Sequence, residues 1–323
     1  MKNLKYLNKY FFKYRVKILI GFCFIFLANI FSLFPANLIG KSFDIIIEQT
    51  KVSSISIADM HQQLFTYVLL LILVAVMKGV FMFFMRQNII VVSRYIEYDL
   101  KNDIYQKYQN LSLNFYKQND SGDILNRITE DVAKVRMYLG PAVMYSLNLV
   151  LLILLILSRM LFISPLLTII VLIPLPILAF LIYKVSHRIN VQSKIVQEKL
   201  SSLTNSVQEV FSGIRLVKSF VREKEVVMSF DSFSEKYMQE QISLYRINSM
   251  FFPLILLLVG VSVILTVYIG GLLVLSSDIT VGQVAEFIIY VNMLTWPVTS
   301  IGWVTSIIQT ASASQKRINE FLY

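Results

Sequence analysis

The sequence has 323 residues, of which 56% are hydrophobic and 15% are charged. A soluble domain usually carries about 25% charged residues, so this composition excludes an ordinary soluble protein and favours a membrane protein. The net charge of +10 would also suit a nucleic-acid partner. The sequence has one cysteine, Cys23, and two histidines, so it offers neither an internal disulfide nor a zinc-type cluster.

Six segments are apolar over the length of about 20 residues that a bilayer crossing requires. After a basic N-terminal segment (1–16), we predict a six-helix membrane domain over 17–309. Its spans cover residues 17–39, 64–85, 137–162, 166–183, 250–275 and 282–308. Ser164-Pro165 marks a tight turn before the fourth span. The first apolar run exceeds the roughly 7–15 residues of a signal peptide, which indicates an uncleaved first helix.

The positive charges lie almost entirely on one side of these spans. They fall before or at the start of the first span, in the connections 86–136 and 184–249, and after the sixth span. The exceptions are Lys41, Lys51, Lys78 and Arg159. By the positive-inside rule, both termini and both long connections face the cytoplasm. The net charge therefore follows from membrane topology, and a nucleic-acid partner is disfavoured.

Both long connections carry helical patterns. In the first, apolar residues recur every three or four positions from Ile96 to Leu111, and Asp103 is expected to pair with Lys107 one turn later. In the second, similar steps run from Val196 to Val217. Such seams are typical of paired helices, so we predict an all-α membrane protein with two long cytoplasmic helical hairpins. A soluble helical domain inserted in each loop is the alternative.

Each hairpin has a polar break at its tip. The first contains the turn cluster Asn119-Asp120-Ser121-Gly122 beside Phe115-Tyr116. The second reads EVFSGIRLVKSF and is interrupted by Gly213. Tips that combine apolar and basic residues are suited to docking on a partner.

Taken together, these segments resemble the transmembrane domain of the type I exporters of the ATP-binding cassette (ABC) superfamily. The resemblance also rests on PANLIG followed by Asp44, on ITVG before the sixth span, and on ASAS before Arg317-Ile318. It implies that the tips are coupling helices that fit into clefts on ATPase domains. The residues that it assigns to coupling are Phe115, Tyr116, Gly122, Arg127, Asp131, Glu209, Phe211, Gly213, Arg215 and Lys218.

The chemistry of these residues suits a docking role. The aromatic side chains are a favoured type of interface anchor, and the basic ones are expected to pair with acidic groups on the partner. Gly213 would permit close backbone approach or a change of direction. The alternative is that Gly213 only relieves packing between helices.

The sequence contains no phosphate-binding loop, which requires G-x-x-x-x-G-K-[ST]. Gly40-Lys41-Ser42 fails because Pro35 stands where the first glycine is needed. We therefore assign no cofactor to this chain and expect ATP and Mg²⁺ in an ATPase domain, either fused or separate. Residues 310–323 resemble the start of a linker to that domain, which favours fusion. The resemblance also implies a second transmembrane half, identical or related.

Four residues are candidates for lining a substrate cavity: Lys78, Tyr290, Asn292 and Trp296. An ionisable group inside a span is costly unless it faces a cavity or snorkels, and both interpretations of Lys78 stay open. Trp296-Pro297 is expected to interrupt the sixth span, with packing against lipid or a neighbouring helix as the alternative for Trp296. Thr280-x-x-Gln283 predicts a capping box at the start of that span.

The sequence thus predicts the membrane domain of an ATP-driven exporter that moves a lipid, drug or peptide out of the cytoplasm. It would act as a dimer in the bilayer of a cell membrane, and the Lys-, Ile- and Asn-rich composition favours a bacterial source. A secondary transporter is disfavoured because paired charges are not evident within the spans. A non-transporting membrane scaffold is the third hypothesis.

Overall fold

The computed structural model describes residues 2–51 and 57–322, which are helical nearly throughout and contain no β-strand. A 3₁₀ helix (Lys2–Leu7) precedes α1 (Asn8–Lys13), α2 (Arg15–Lys51) and α3 (Ile57–Gln109). The chain continues through α4 (Leu113–Gln118), α5 (Ser121–Asn126), a π-helical turn (Arg127–Asp131), α6 (Val132–Met137), a second π-helical turn (Tyr138–Ala142) and α7 (Val143–Ile163). It ends with α8 (Pro165–Leu172), α9 (Pro174–Ser212), α10 (Ile214–Ser219), α11 (Glu223–Ser249), α12 (Phe251–Leu275) and α13 (Val281–Leu322).

Six helical stretches of the described chain are long and apolar enough to cross a membrane. They are Arg15–Glu48, Met60–Gln109, Ser121–Ile163, Pro165–Ser212, Glu223–Leu275 and Val281–Glu320, with lengths of 34 to 53 residues. About 20 residues suffice to cross a hydrocarbon core of about 30 Å, so each stretch continues beyond one crossing. The prediction of an all-α, multi-pass membrane protein with long helices is confirmed.

The prolines that end a helix differ from those that the sequence indicated. Pro35 and Pro297 lie inside α2 and α13, which continue through them, although the sequence analysis expected an end near Gly40 and a break at Pro297. The helix breaks instead at Pro174, which occupies the first turn of α9, where its missing N–H leaves no bond unmade. The predicted turn at Ser164 is confirmed: its backbone is extended, and its Oγ accepts a hydrogen bond from the Leu167 N–H at 3.3 Å.

The chain forms two compact units, which are described separately. The first comprises Met1–Val171 and Val263–Tyr323, and the second comprises Leu172–Ser262. In the first unit, α2 packs along α3 and α13, and α13 also contacts α6 and α7. In the second unit, α9 and α11 pack along each other, and the Gln192 side chain donates to the Glu240 carboxylate at 2.6 Å.

The apolar seam of α3 forms the centre of a buried cluster in the first unit, which we call the seam cluster. It contains Ile96, Leu100, Ile104 and Tyr108 of α3, Leu4, Leu7 and Tyr10 of the N-terminal segment, Val92, Val132, Val135, Leu139 and Ile318. The seam predicted from the spacing is thus confirmed. Its partners are α6, the N-terminal segment and the last turns of α13.

The N-terminal segment, which the sequence suggested only as a source of positive charge, is fastened to α3 by polar contacts. Lys9 Nζ lies 2.6 Å from the Asp103 carboxylate, and the Tyr10 hydroxyl donates to the same oxygen at 2.6 Å. Burial raises the pKa of Tyr10, and the hydrogen bond to Asp103 raises it further, so the phenol stays protonated and continues to donate. The expected pairing of Asp103 with Lys107 is wrong, because Lys9 occupies that carboxylate.

Truncation of the seam should destabilise the chain. Leu100 is fully buried, so Leu100→Ala removes packed atoms and leaves a cavity, at a cost of about 2–5 kcal/mol. We expect a clear fall in the melting temperature of the detergent-solubilised chain, followed by intrinsic fluorescence. The control is Tyr98→Ala on the same helix, where the side chain is 66% exposed and little change is expected. Equal losses in both variants would contradict the central role of the seam.

Candidate functional site

The first tip comprises α4, α5 and the π-helical turn that follows them, residues 113–131. Asp120 has extended backbone geometry, and its side chain accepts a hydrogen bond from the Gly122 N–H at 3.0 Å, which caps the start of α5. The predicted turn cluster therefore starts a new helix. The atoms nearest to a Cβ added to Gly122 would be those of the Asp120 carboxylate, at 3.6 Å or more, so packing among the described residues does not require this glycine.

The aromatic pair of the first tip is turned toward its own chain. Phe115 packs against the seam cluster, and the Tyr116 hydroxyl donates to the Tyr108 carbonyl oxygen at 2.5 Å. Tyr116 is still 43% exposed, and the more exposed apolar side chains are Leu113, 81% exposed, and Leu125, 62% exposed. Sequence reasoning missed both leucines. Both leucines lie outside the three-four spacing of the seam, and this departure is the signal that could have indicated their exposure.

Arg127 and Asp131 connect the first tip to the end of α13. Arg127 donates twice to Asp123, from Nε at 2.9 Å and from Nη2 at 2.7 Å, and its Nη1 lies 3.5 Å from the Arg317 carbonyl oxygen. Asp131 is completely buried and forms an ion pair with the Arg317 guanidinium. Arg127 thus has partners inside the chain, whereas the sequence suggested an acidic partner elsewhere. The π-helical turn that carries both residues is a feature often found at functional sites.

The second tip comprises the end of α9, α10 and the start of α11, residues 209–229. α9 ends at Ser212, and the predicted break at Gly213 is confirmed. Gly213 has φ −99° and ψ 17°, which other residues also adopt, and an added Cβ would meet only the Glu209 carbonyl oxygen at 3.4 Å. Within the described part of this unit, therefore, neither backbone geometry nor helix packing requires a glycine.

The second tip presents an apolar surface with basic residues beside it. Its large exposed side chains are Phe211, Leu216, Phe220 and Val221, which are 64% to 79% exposed. Glu209 and Arg215 are also exposed, and Lys218 pairs with Glu223 at 3.0 Å. Beside this surface, a recess of about 310 Å³ is lined by Leu216, Val217, Phe220, Arg222, Glu225, Val226 and Ser229.

Val221 closes α10 in a conformation that normally belongs to glycine. Its φ is 54°, the Arg222 N–H donates to the Val217 carbonyl oxygen at 3.0 Å, and the Val221 N–H donates to the Lys218 carbonyl oxygen at 3.3 Å. This is the hydrogen-bond pattern of a Schellman motif, in which the left-handed position is usually glycine. A β-branched residue there costs about 1–3 kcal/mol. The chain keeps an exposed valine at the tip in spite of that strain.

A polar network lies among the membrane-spanning helices of the first unit. The buried Glu286 carboxylate accepts hydrogen bonds from Tyr290 at 2.6 Å, from Arg159 Nε at 3.1 Å and from Asn37 at 3.3 Å. The sequence analysis found no paired charges within the spans, because Arg159 and Glu286 are 127 positions apart. Because these two charges are paired, a lack of paired charges no longer argues against a secondary transporter.

The four cavity candidates do not converge on one face. Tyr290 is buried and lines a recess of about 410 Å³ between α2, α7 and α13. Asn292 lies about 200° further around α13, on the same side as Trp296 one turn later. Both of these side chains are exposed, and Asn292 donates to the Ile288 carbonyl oxygen at 2.8 Å. Lys78 is half-buried on α3.

The predicted capping box at the start of α13 is confirmed. The Thr280 N–H donates to the Gln283 side chain at 2.9 Å, and the Gln283 N–H donates to Thr280 Oγ1 at 3.1 Å. The Gly40-Lys41-Ser42 sequence lies within α2, which excludes a phosphate-binding loop at that position.

Comparison with known proteins gives a consistent result. Residues 18–298 match the family described as the ABC transporter transmembrane region. The chain is 27% identical over 322 residues to the uncharacterized ABC transporter ATP-binding protein YknU of Bacillus subtilis, and 28% identical over 323 residues to the multidrug resistance-like ATP-binding protein MdlA of Buchnera aphidicola. Both alignments cover all of this chain and 54% of the relative. An ATP-dependent lipid A-core flippase of Syntrophus aciditrophicus is 28% identical over 77% of this chain and 42% of that protein. The chain spans about half the length of these relatives.

The ion pair between the first tip and α13 should contribute measurably to stability. Arg317→Ala leaves the buried Asp131 carboxylate unpaired, and we expect a loss of about 3 kcal/mol, because Arg317 itself is partly exposed. Asp131→Asn in the same chain should recover part of that loss, since a neutral amide needs no cation. The control Lys316→Ala, which affects an exposed neighbour, should change stability by less than about 0.5 kcal/mol. Additive losses in the double variant would rule out the coupling.

Proposed function

The chain belongs to the ABC transporter transmembrane region family, and from this premise we propose that it is the membrane domain of an ATP-driven exporter. The relatives' names join ATP binding with multidrug resistance or lipid flipping, and each relative is about twice as long as the matched region. In this proposal ATP and Mg²⁺ bind to an ATPase domain, fused or separate. The chain itself supplies the pathway and the surfaces that receive the ATPase.

The observation that carries the proposal is the exposed face of the second tip. Phe211, Leu216 and Phe220 are each more than 60% exposed at the end of the hairpin that α9 and α11 form. Clustered exposed apolar groups usually mark an interaction site, and aromatic residues are frequent anchors in such sites. Arg215 lies among them and would pair with an acidic group of the ATPase.

Gly213 fits the same role. Its backbone angles are open to other residues, and the described chain shows no internal contact that needs a glycine. A partner that approaches the backbone at Gly213 would account for the residue. Glu209 and Lys218 would lie at the edge of this contact.

The first tip would act differently. Leu113, Gly122 and Leu125 would contact the ATPase, while Phe115 and Tyr116 hold the tip against the seam cluster. Arg127 and Asp131 would transmit movement between the tip and the end of α13, because both residues contact Arg317.

A second transmembrane half, identical or related, would complete the pathway in a cell membrane, with the tips and both termini in the cytoplasm. ATP-driven closure of paired ATPase domains would move the tips together and reorient the helices. Lys78, Tyr290, Asn292 and Trp296 are the candidates for contact with the cargo, which would be a lipid, drug or peptide.

Arg215→Glu and Gly213→Val should uncouple hydrolysis from transport in the complete transporter reconstituted in lipid. Loss of one interface hot spot predicts a fall in ATP-dependent transport of about tenfold or more. Membrane insertion and thermal stability should stay unchanged, because Arg215 is exposed and the Gly213 site has room for a side chain.

The matched control is Lys194→Glu, an equal charge reversal at an exposed position of α9 outside the tip. It should retain normal transport per ATP hydrolysed. Normal coupling in both tip variants would contradict the docking role and leave ordinary helix packing as the explanation of the second tip.

A further inference from the structure

The recess between α2, α7 and α13 has an apolar part and a cationic part. Its volume is about 410 Å³, within the range of roughly 300–1,000 Å³ that is usual for small-molecule sites. Ile30, Leu33 and Phe34 line it along little more than one turn of α2. The polar lining residues are Asn37 and Lys41 further along α2, together with Arg159 and Tyr290. Polar and apolar groups are therefore separated along the helix axis.

The charges around the recess are unbalanced. Two cations and no carboxylate are among the described residues that line it. Glu286 is buried and already accepts hydrogen bonds from Tyr290, Arg159 and Asn37, so it offsets one positive charge. Within the described residues Lys41 has no ion-pair partner. A group with a negative charge would therefore gain both Coulomb energy and hydrogen bonds at this end of the recess.

Tight packing fixes the wall that carries Lys41. A Cβ on Gly40 would lie 2.6 Å from the Gly282 carbonyl oxygen, so only glycine permits this approach of α2 to α13. One turn later the Asp44 carboxylate accepts hydrogen bonds from Thr280 Oγ1 at 2.8 Å and from the Gly282 N–H at 2.7 Å. The backbone from which Lys41 extends is thus set by the neighbouring residues, and the exposed ammonium group is available to a ligand.

We propose that this recess binds an anionic amphiphile, with its charged head between Lys41 and Arg159 and its acyl chain along Ile30, Leu33 and Phe34. The shared chemistry is a monoanionic head on an apolar chain, which a phospholipid phosphate or a fatty-acid carboxylate supplies. Tyr290 is also a candidate for contact with the cargo under the proposed function, but binding in this recess is a property of the chain alone and does not depend on ATP or on transport.

The test uses the whole chain in nanodiscs of phosphatidylcholine, without any ATPase, so that its result is independent of the proposed function. One arm adds phosphatidylglycerol and a second adds oleate, each titrated at low mole fraction. Native mass spectrometry counts the molecules retained per chain after transfer to detergent. We expect one retained anionic amphiphile per chain, bound at least about tenfold more tightly than phosphatidylcholine. Retention of one probe but not the other identifies the head as phosphate or carboxylate.

Four variants make the test specific. Lys41→Gln should weaken retention about tenfold, and Lys41→Arg should restore it, because the charge and the donors return. Leu33→Trp, which fills the apolar part without changing charge, should also reduce retention. Lys17→Gln removes one positive charge from the same helix outside the recess and should leave retention unchanged. Each variant should keep the melting temperature of the parent chain.

Three results would overturn the proposal. Unchanged retention in Lys41→Gln would show that Lys41 only extends toward the membrane surface. An equal loss in Lys17→Gln and Lys41→Gln would show that general surface charge attracts the lipid. Equal retention of phosphatidylcholine and of both anionic probes would likewise exclude a charge-selective site.

Discussion

Burial of the apolar seam of α3 is the interaction that holds the first unit together. The seam lies at the end of the long helices that is remote from Lys41. Three separate parts of the chain meet there: the N-terminal segment, the first tip with α6, and the last turns of α13. Leu100 and Ile104 provide the apolar surface, and Asp103 adds the polar contacts to Lys9 and Tyr10. Since these parts are distant in sequence, the seam fixes the position of the first tip relative to the end of α13.

The two tips are built on different physical principles. In the first, Phe115 and Tyr116 are held by the chain itself, and Asp131 is buried in an ion pair. In the second, Phe211 and Phe220 are exposed, and α10 closes through a strained Val221. The first tip therefore suits a rigid connection to α13. The second suits a surface that completes its apolar contacts only when a partner is bound.

The helical architecture could be predicted from the sequence because it depends on local patterns. Apolar length gave the spans, three-four spacing gave the seam, and Thr280 with Gln283 gave the start of α13. Contacts between distant segments could not be predicted in this way. Arg159 and Glu286 are 127 positions apart, and only the packing of α7 on α13 brings them together. The N-terminal segment was missed because a short basic amphipathic stretch looks like a topological signal.

Glycines illustrate why the candidate site needs the structure as well as the sequence. At Gly40 an added Cβ would collide with the Gly282 backbone, so the packing of α2 on α13 explains the residue. At Gly213 the space is open and φ is negative, so the chain supplies no such explanation. Both residues look alike in the sequence, yet a variant at Gly40 should disturb folding and one at Gly213 should not. The interest of Gly213 therefore lies in what approaches it from outside the chain, which is where the proposed ATPase contact places its partner.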